Sequence, residues 1–205
     1  MIAKVNTIDS IRKTVGDLKI EQHRREEKMR ESSVALILRN KSSNIEILFI
    51  KRASRIGDPW SGQMAFPGGH KEKSDKTLRQ TAVRETFEEI NLDLSSANYF
   101  GVLPEQRALA RGKRINLIIS PHVFYMKDDP VLCANHEVDE IIWSDLNRLI
   151  LGACHDVETY RLSENEITCN GYRLEKGHFV WGLTYRMLKD FFSILDPNWN
   201  PPKEI

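Results

Sequence analysis

The chain has 205 residues, of which 40% are hydrophobic and 29% charged, a balance typical of a soluble chain with one globular domain. A formal net charge of +1 excludes a strong electrostatic field toward nucleic acid, so we expect no nucleic-acid partner. Three scattered cysteines without C-x-x-C spacing argue against a disulfide framework or a zinc site and suit a reducing compartment. The first ten residues lack the apolar core of a secretory signal, and no apolar run could span a bilayer. We therefore expect a cytoplasmic protein with no membrane partner.

The N-terminal part is predicted to be helical and to precede a hairpin. Apolar residues recur at helical spacing within residues 7–30, which predicts a surface helix followed by a charged connector. We therefore divide the chain into an N-terminal helical extension (1–30), a main domain (31–196) and a C-terminal tail (197–205). Residues 34–38 and 45–50 are predicted strands joined by a turn at 40–44. Pro67-Gly68-Gly69 then breaks the backbone.

A helix is predicted over residues 76–90. Thr77 and Gln80 make a capping box at its start, and Asn91 tolerates the left-handed conformation that ends a helix. Further strands are predicted near residues 99–103, 117–125 and 139–143. A final amphipathic helix over residues 180–195 stops before Asp196-Pro197. Strands interleaved with a few helices indicate an α/β or α+β domain.

The helix at 76–90 gathers three carboxylates. A projection at about 100° per residue places an apolar set on one side (Ala82, Val83, Thr86, Phe87 and Ile90) and Glu85, Glu88 and Glu89 on the other. Like charges at this spacing destabilise the helix by roughly 0.2–0.5 kcal/mol per pair. Arg84 offsets part of this repulsion because it forms an i,i+4 ion pair with Glu88. Hard oxygen ligands on one rigid face suit Mg²⁺, and glycines just before the helix allow a ligand to approach the backbone closely. The alternative interpretation is a solvated acidic face.

The segment from Gly69 to Leu92 resembles the Nudix box, G-x5-E-x7-R-E-U-x-E-E-x-G-U, where U is a bulky aliphatic residue. Residues 84–89 match its R-E-U-x-E-E core apart from Thr86 at U. The first Gly of the pattern falls on His70, its first Glu on Lys76 and its late Gly on Asn91. This displaced spacing resembles that of the coenzyme A pyrophosphatase branch, in which acidic residues follow F-P-G-G. Glu72 and Asp75 fill those acidic positions here.

That branch carries a second signature, R-S-x3-R-x3-G-x3-F-P-G-G. Residues 62–69 fit its second half, but Ala53 and Ser54 occupy the Arg-Ser slots, Arg52 lies one residue early, and Asp58 occupies the middle Arg slot. Arg55 lies three residues earlier and is the candidate replacement. Residues 137–143 resemble the family's late strand, where an additional carboxylate often approaches the metal cluster, and residues 180–184 resemble the start of the branch's C-terminal helix.

The resemblance covers roughly residues 33–193 and implies a Nudix α/β/α sandwich with a mixed central sheet. It implies hydrolysis of a phosphoanhydride bond in a small-molecule nucleotide with Mg²⁺, for which Mn²⁺ can substitute. Glu85 and Glu89 are the expected metal ligands, Glu88 is the third ligand or the base, and Arg84 orients the glutamates. Arg52, Arg55, Gly68 and Gly69 are the expected substrate-binding residues. The resemblance leaves open whether the protein forms a homodimer.

The substrate expected from the branch is coenzyme A or an acyl derivative, cleaved to 3′,5′-ADP and 4′-phosphopantetheine. The alternatives are a Nudix hydrolase of ADP-ribose, a dinucleotide or a dinucleoside polyphosphate, and a non-catalytic nucleotide-binding module. A basic run (Arg107, Arg111, Lys113 and Arg114) is either a solvated loop or a clamp for substrate phosphate.

Overall fold

The computed structural model describes residues 7–20, 25, 28–58, 60–110, 113–162 and 165–205. Its helices are α1 (Ile8–Gly16), α2 (Leu78–Ile90), α3 (Leu146–Ile150) and α4 (Gly182–Leu195). Its strands are β1 (Arg30–Lys41), β2 (Asn44–Arg52), β3 (Met64–Ala65), β4 (Gly68–His70), β5 (Asn98–Val102), β6 (Gln106–Ala110), β7 (Lys113–Met126), β8 (Val138–Asp145), β9 (His155–Leu162), β10 (Asn165–Arg173) and β11 (Phe179–Trp181). No helix of these described ranges is long and apolar enough to cross a membrane.

The main sheet is mixed, with the order β3-β2-β1-β7-β5. Strand β1 runs antiparallel to β2 and parallel to β7, while β4, β6 and β8 pair with β1, β7 and β2 respectively. Alternate residues of β1 enter different cores: Leu36 and Leu38 pack with α1 and α4, whereas Ala35 and Ile37 pack with α2. Helices thus cover both faces of the sheet, and the predicted α/β/α sandwich is confirmed.

Local signals placed several elements correctly. Strands β1 and β2 form the predicted hairpin, with Lys41 opposite Asn44. In α2, Thr77 and Gln80 form both bonds of the capping box, and Asn91 ends the helix with a φ of 54°. Helix α4 ends at Leu195, as the following Asp196-Pro197 predicts.

The N-terminal part contains the predicted surface helix. Helix α1 ends at Gly16, with Ile11 and Val15 buried in the core and Asp9 and Arg12 exposed on the opposite side. Farther along, Arg25 donates hydrogen bonds to Glu31 and Glu105, so ion pairs hold this residue against the domain. Within the charged connector, predicted over residues 22–31, residues 22–24 and 26–27 lie outside the described residues. The proposed domain boundaries stay a prediction.

Two β structures were not predicted. Strands β9, β10 and β11 form a separate antiparallel sheet just before α4. Strand β6 pairs with β7 and includes Arg107, while Lys113 and Arg114 lie on β7, so these three residues of the basic run belong to strands. Arg111 lies outside the described residues, as do the side chains of Lys113 and Arg114, so the phosphate-clamp hypothesis remains a prediction.

Candidate functional site

Helix α2 and strand β4 form one wall of a cavity of about 360 Å³. Gly68 and Gly69 contribute backbone to this cavity, and Glu85 and Glu89 contribute carboxylates. Its lining also includes Arg52 from β2 together with Trp60, Gln63, Met64, Glu137 and Leu183. We refer to this space as the carboxylate cavity.

Glu89 is the most deeply buried acid of this cavity, with 2% of its surface exposed. The backbone N–H of Gly68 donates to its Oε2 at 2.8 Å. Burial raises the pKa of Glu89 to about 8, an effect that the Gly68 hydrogen bond and the charge of Arg52 reduce and that Glu85 and Glu137 reinforce. A carboxylic acid with this pKa binds a proton at neutral pH unless a cation replaces it.

The helical projection was therefore wrong about two side chains. It placed Phe87 on the buried side, but Phe87 is 53% exposed, and it placed Glu89 on the open acidic side. The buried side of α2 actually carries Thr81, Ala82, Thr86, Glu89 and Ile90. This arrangement arises because β4 supplies a backbone donor to Glu89, so a buried carboxyl finds a partner there.

The two glycines of β4 allow helix and strand to approach this closely. A Cβ on Gly69 would lie 2.5 Å from the Glu85 carboxylate, and a Cβ on Gly68 would lie 2.2 Å from the Ser33 carbonyl oxygen. Gly68 also has a φ of 151°, which side-chain-bearing residues rarely adopt. Burial raises the pKa of Glu85, although the neighbouring Arg84 guanidinium opposes that rise.

Arg84 organises the acidic groups around α2. Its guanidinium contacts Glu85 at 3.0 Å and donates to Asp75, Glu88 and the carbonyl oxygen of His70, each at 2.9 Å. The hydrogen bond from Arg84 holds the pKa of buried Asp75 below its usual value. Glu88 thus makes the predicted i,i+4 pair, but it is 51% exposed at its side chain and does not line the carboxylate cavity.

The predicted substrate-binding arginines have different positions. Arg52 lines the carboxylate cavity and donates to Asp58 at 2.8 Å. Arg55 reaches the edge of the cavity by donating to Glu137 at 2.9 Å. Asp58, which occupies the expected Arg slot, therefore serves as the partner of Arg52. Glu137 precedes β8 and brings a further carboxylate to the cavity, whereas Glu140 pairs with Lys176 at 3.0 Å.

The donor set of the cavity suits a hard divalent cation. Glu85, Glu89 and Glu137 offer carboxylate oxygens, and burial or mutual repulsion disfavours the ionised form of Glu85 and Glu89. Within the described ranges no three acidic, His or Cys side chains already converge as a metal centre, because the protein's own donors hold the carboxylates. A cation that replaced a proton and relieved this repulsion would be favourable in this environment.

Five of the predicted site residues line this cavity, namely Glu85, Glu89, Gly68, Gly69 and Arg52, whereas Arg84, Glu88 and Arg55 do not. Of the carboxylates in the segment that resembles the family's late strand, Glu137 lines the cavity and Glu140 does not. Trp60 and Leu183 also line the cavity but were not predicted. The resemblance at residues 180–184 was the only signal that pointed toward Leu183.

Comparison with known proteins agrees with this geometry. The profile described as the NUDIX domain matches residues 29–164. An uncharacterized protein of Schizosaccharomyces pombe is 38% identical over 187 residues, which cover 74% of this chain and 57% of that protein. The uncharacterized Nudix hydrolase NudL of Citrobacter koseri is 29% identical over 147 residues, covering 70% of this chain and 72% of that protein. The chain thus matches less than two thirds of the length of its fission-yeast relative.

Among solved structures, a MutT/nudix family protein from Enterococcus faecalis superimposes with a TM-score of 0.53 and 17% identity. The superposition covers 86% of this chain and 66% of that one. At this level of identity the similarity concerns the fold alone.

Proposed function

The chain belongs to the Nudix family, and from that premise we propose that its carboxylate cavity hydrolyses a phosphoanhydride bond of a nucleoside diphosphate derivative with Mg²⁺. One observation carries the proposal: the buried Glu89 and the half-buried Glu85 lie beside the Gly68-Gly69 backbone in an open cavity. An acidic helix face with a purely solvating role would leave both carboxylates in water. Buried acids with perturbed pKa values in a cavity are instead typical of functional sites.

Glu85 and Glu89 would hold the ion, and Glu137 is close enough to raise the pKa of both. When bound, Mg²⁺ supplies charge neutralisation for the diphosphate and a lower pKa for water. Arg84 holds Glu85 in place, and the Gly68 N–H does the same for Glu89. Arg52 adds a positive charge toward the anionic substrate. Both Glu88, the predicted third ligand or base, and Glu137 accept a hydrogen bond from an arginine, but only Glu137 lines the cavity, so Glu137 is better placed to accept a proton there.

The proposed substrate is coenzyme A or a short acyl derivative. Residues 62–69 with Glu72 and Asp75, and the segment 181–184, support this choice because they resemble that branch. The 3′-phosphate of coenzyme A would gain a charge-assisted hydrogen bond from an arginine, and Arg55 lies at the cavity edge for this purpose. Retention of Glu85 and Glu89 in the cavity argues against a non-catalytic nucleotide-binding module.

A substrate panel tests this proposal. Purified protein with Mg²⁺ is incubated with coenzyme A, ADP-ribose and a dinucleoside polyphosphate, and the phosphorylated products are quantified by ion-exchange chromatography. We expect the highest kcat/KM for coenzyme A, with release of 3′,5′-ADP. A higher kcat/KM for ADP-ribose or for the dinucleoside polyphosphate would refute the coenzyme A assignment but would support the general hydrolase activity.

A further inference from the structure

A second, larger pocket adjoins the carboxylate cavity. It has a volume of about 980 Å³ and lies among the sheet β9–β11, the first turns of α4, Asp58 and residues 60–64. Trp60, Gln63, Met64 and Leu183 line both spaces. A group attached to a diphosphate in the carboxylate cavity could therefore extend past these residues into the second pocket. Its size falls within the usual range for small-molecule sites, about 300–1,000 Å³.

Aromatic rings form a distinctive part of the second pocket. Tyr160 on β9 and Trp181 on β11 stack with ring centroids 4.8 Å apart and an interplanar angle of 24°. Both rings are partly exposed and line the pocket. Next to Trp181, a Cβ built on Gly182 would meet nothing within 4 Å, so there is open space at this position. A preformed aromatic stack whose rings are partly exposed offers a surface for another flat ring.

Polar groups of this pocket are already engaged by the protein. Arg173 donates to Asp156 at 2.9 Å and to the carbonyl oxygen of Gly177 at 3.0 Å. Asn170 exchanges two hydrogen bonds of 3.2 Å with the backbone of Ile205. Lys189 is paired with Glu204. Because carboxylates neutralise Arg173 and Lys189, and because Arg186 donates to the carbonyl oxygen of Arg107, the pocket favours an uncharged group over a second phosphate.

We infer that the second pocket holds the nucleobase of the substrate, which stacks on the ring of Trp181 beside Tyr160. This inference rests on the proposed function for the placement of the diphosphate. Stacking needs only a π face, and the engagement of Asn170 and Arg173 leaves these residues poorly suited to reading the edge of a base. The pocket should therefore discriminate weakly among bases.

Calorimetric titration with AMP tests the inference without any turnover. Loss of a stacking ring typically weakens nucleotide binding by about ten-fold or more, so Trp181→Leu should raise the Kd for AMP by at least that factor. Trp181→Phe retains a ring and should restore most of the affinity. Trp143→Leu is the matched control, because Trp143 lies on β8 beneath Arg39 and lines neither space. Thermal melts establish that each variant is folded.

Unchanged AMP affinity in folded Trp181→Leu would overturn the inference, as would an equal loss in Trp143→Leu. A loss of affinity for 4′-phosphopantetheine in place of AMP would assign the pocket to the other half of coenzyme A and would also overturn it. In the wild type, UMP and GMP should bind within roughly ten-fold of AMP; a larger preference would contradict weak base discrimination. A protein that binds AMP through Trp181 yet hydrolyses no substrate would refute the proposed function alone.

Discussion

Replacement of Glu89 with glutamine should stabilise the metal-free protein, and the gain should increase with pH. The side chain is 2% exposed, and its pKa is raised from 4.5 to about 8 because ionisation is unfavourable in the buried environment. Glutamine has nearly the same size and keeps an oxygen that can accept the hydrogen bond from Gly68. The substitution therefore removes the cost of ionisation and leaves the packing nearly unchanged.

The direction of this pH dependence follows from proton binding by Glu89 in the folded and unfolded states. Below pH 4.5 Glu89 is protonated in both states, whereas between pH 4.5 and 8 only the folded state retains the proton. The stability of the wild type therefore falls as pH rises through this window and levels off above pH 8. At ~1.4 kcal/mol per pKa unit, ionisation of Glu89 lowers the free energy of unfolding of the wild type by about 5 kcal/mol in all. About 2–3 kcal/mol of this decrease falls between pH 6 and 9.

Urea denaturation in EDTA, at several values between pH 6 and 9, measures this difference. The free energy of unfolding of Glu89→Gln should exceed that of the wild type by a margin that widens by roughly 2 kcal/mol over the range. Glu88→Gln makes the same chemical change on a side chain that is 51% exposed. The free energy of unfolding of this variant should differ from that of the wild type by the same amount at each of these pH values. Parallel curves for Glu89→Gln and the wild type would refute the proposed burial of an ionisable Glu89.

Three further predictions concern the site. Glu89→Gln should lose at least about 10–100-fold in kcat at saturating Mg²⁺, because a direct metal ligand should matter no less than a residue that only supports one; near-normal kcat would show that Glu89 is no principal ligand. Arg55→Ala should lower kcat/KM for coenzyme A more than for its 3′-dephospho form, and equal losses would remove Arg55 from 3′-phosphate recognition. Gly69→Ala, whose Cβ would lie 2.5 Å from the Glu85 carboxylate, should lower the free energy of unfolding by roughly 1–3 kcal/mol. Gly16→Ala, whose Cβ would meet its nearest atom at 3.6 Å, is the matched control and should show no comparable loss.

Elements specified by local chemistry could be predicted from the sequence. The bounds of α2 follow from Thr77, Gln80 and Asn91, which act within one helical turn of each end. The β1–β2 hairpin follows from two apolar runs separated by polar residues. The acidic face of α2 was recognisable for the same reason, because Glu85 and Glu89 are one turn apart in any helix at this position.

Features that depend on distant partners were not predictable in this way. Hydrophobic periodicity places Phe87 inside and Glu89 outside, but the approach of β4 reverses both. Glu137 reaches the cavity through the pairing of β8 with β2, which the order of residues does not reveal. The β9–β10 hairpin is local, but it escaped prediction because charged residues such as Glu158 interrupt the apolar alternation of its strands. The pocket that contains Trp181 depends on that hairpin.

The most direct test of metal-dependent hydrolysis at the carboxylate cavity is the rate of 3′,5′-ADP release from coenzyme A as Mg²⁺ is supplied, chelated and restored. We expect turnover with Mg²⁺, none in excess EDTA, and recovery when Mg²⁺ exceeds the chelator, because the cation would neutralise the diphosphate and lower the pKa of water. Mn²⁺ should also restore activity. Full turnover in excess EDTA would contradict the proposed role of Glu85 and Glu89.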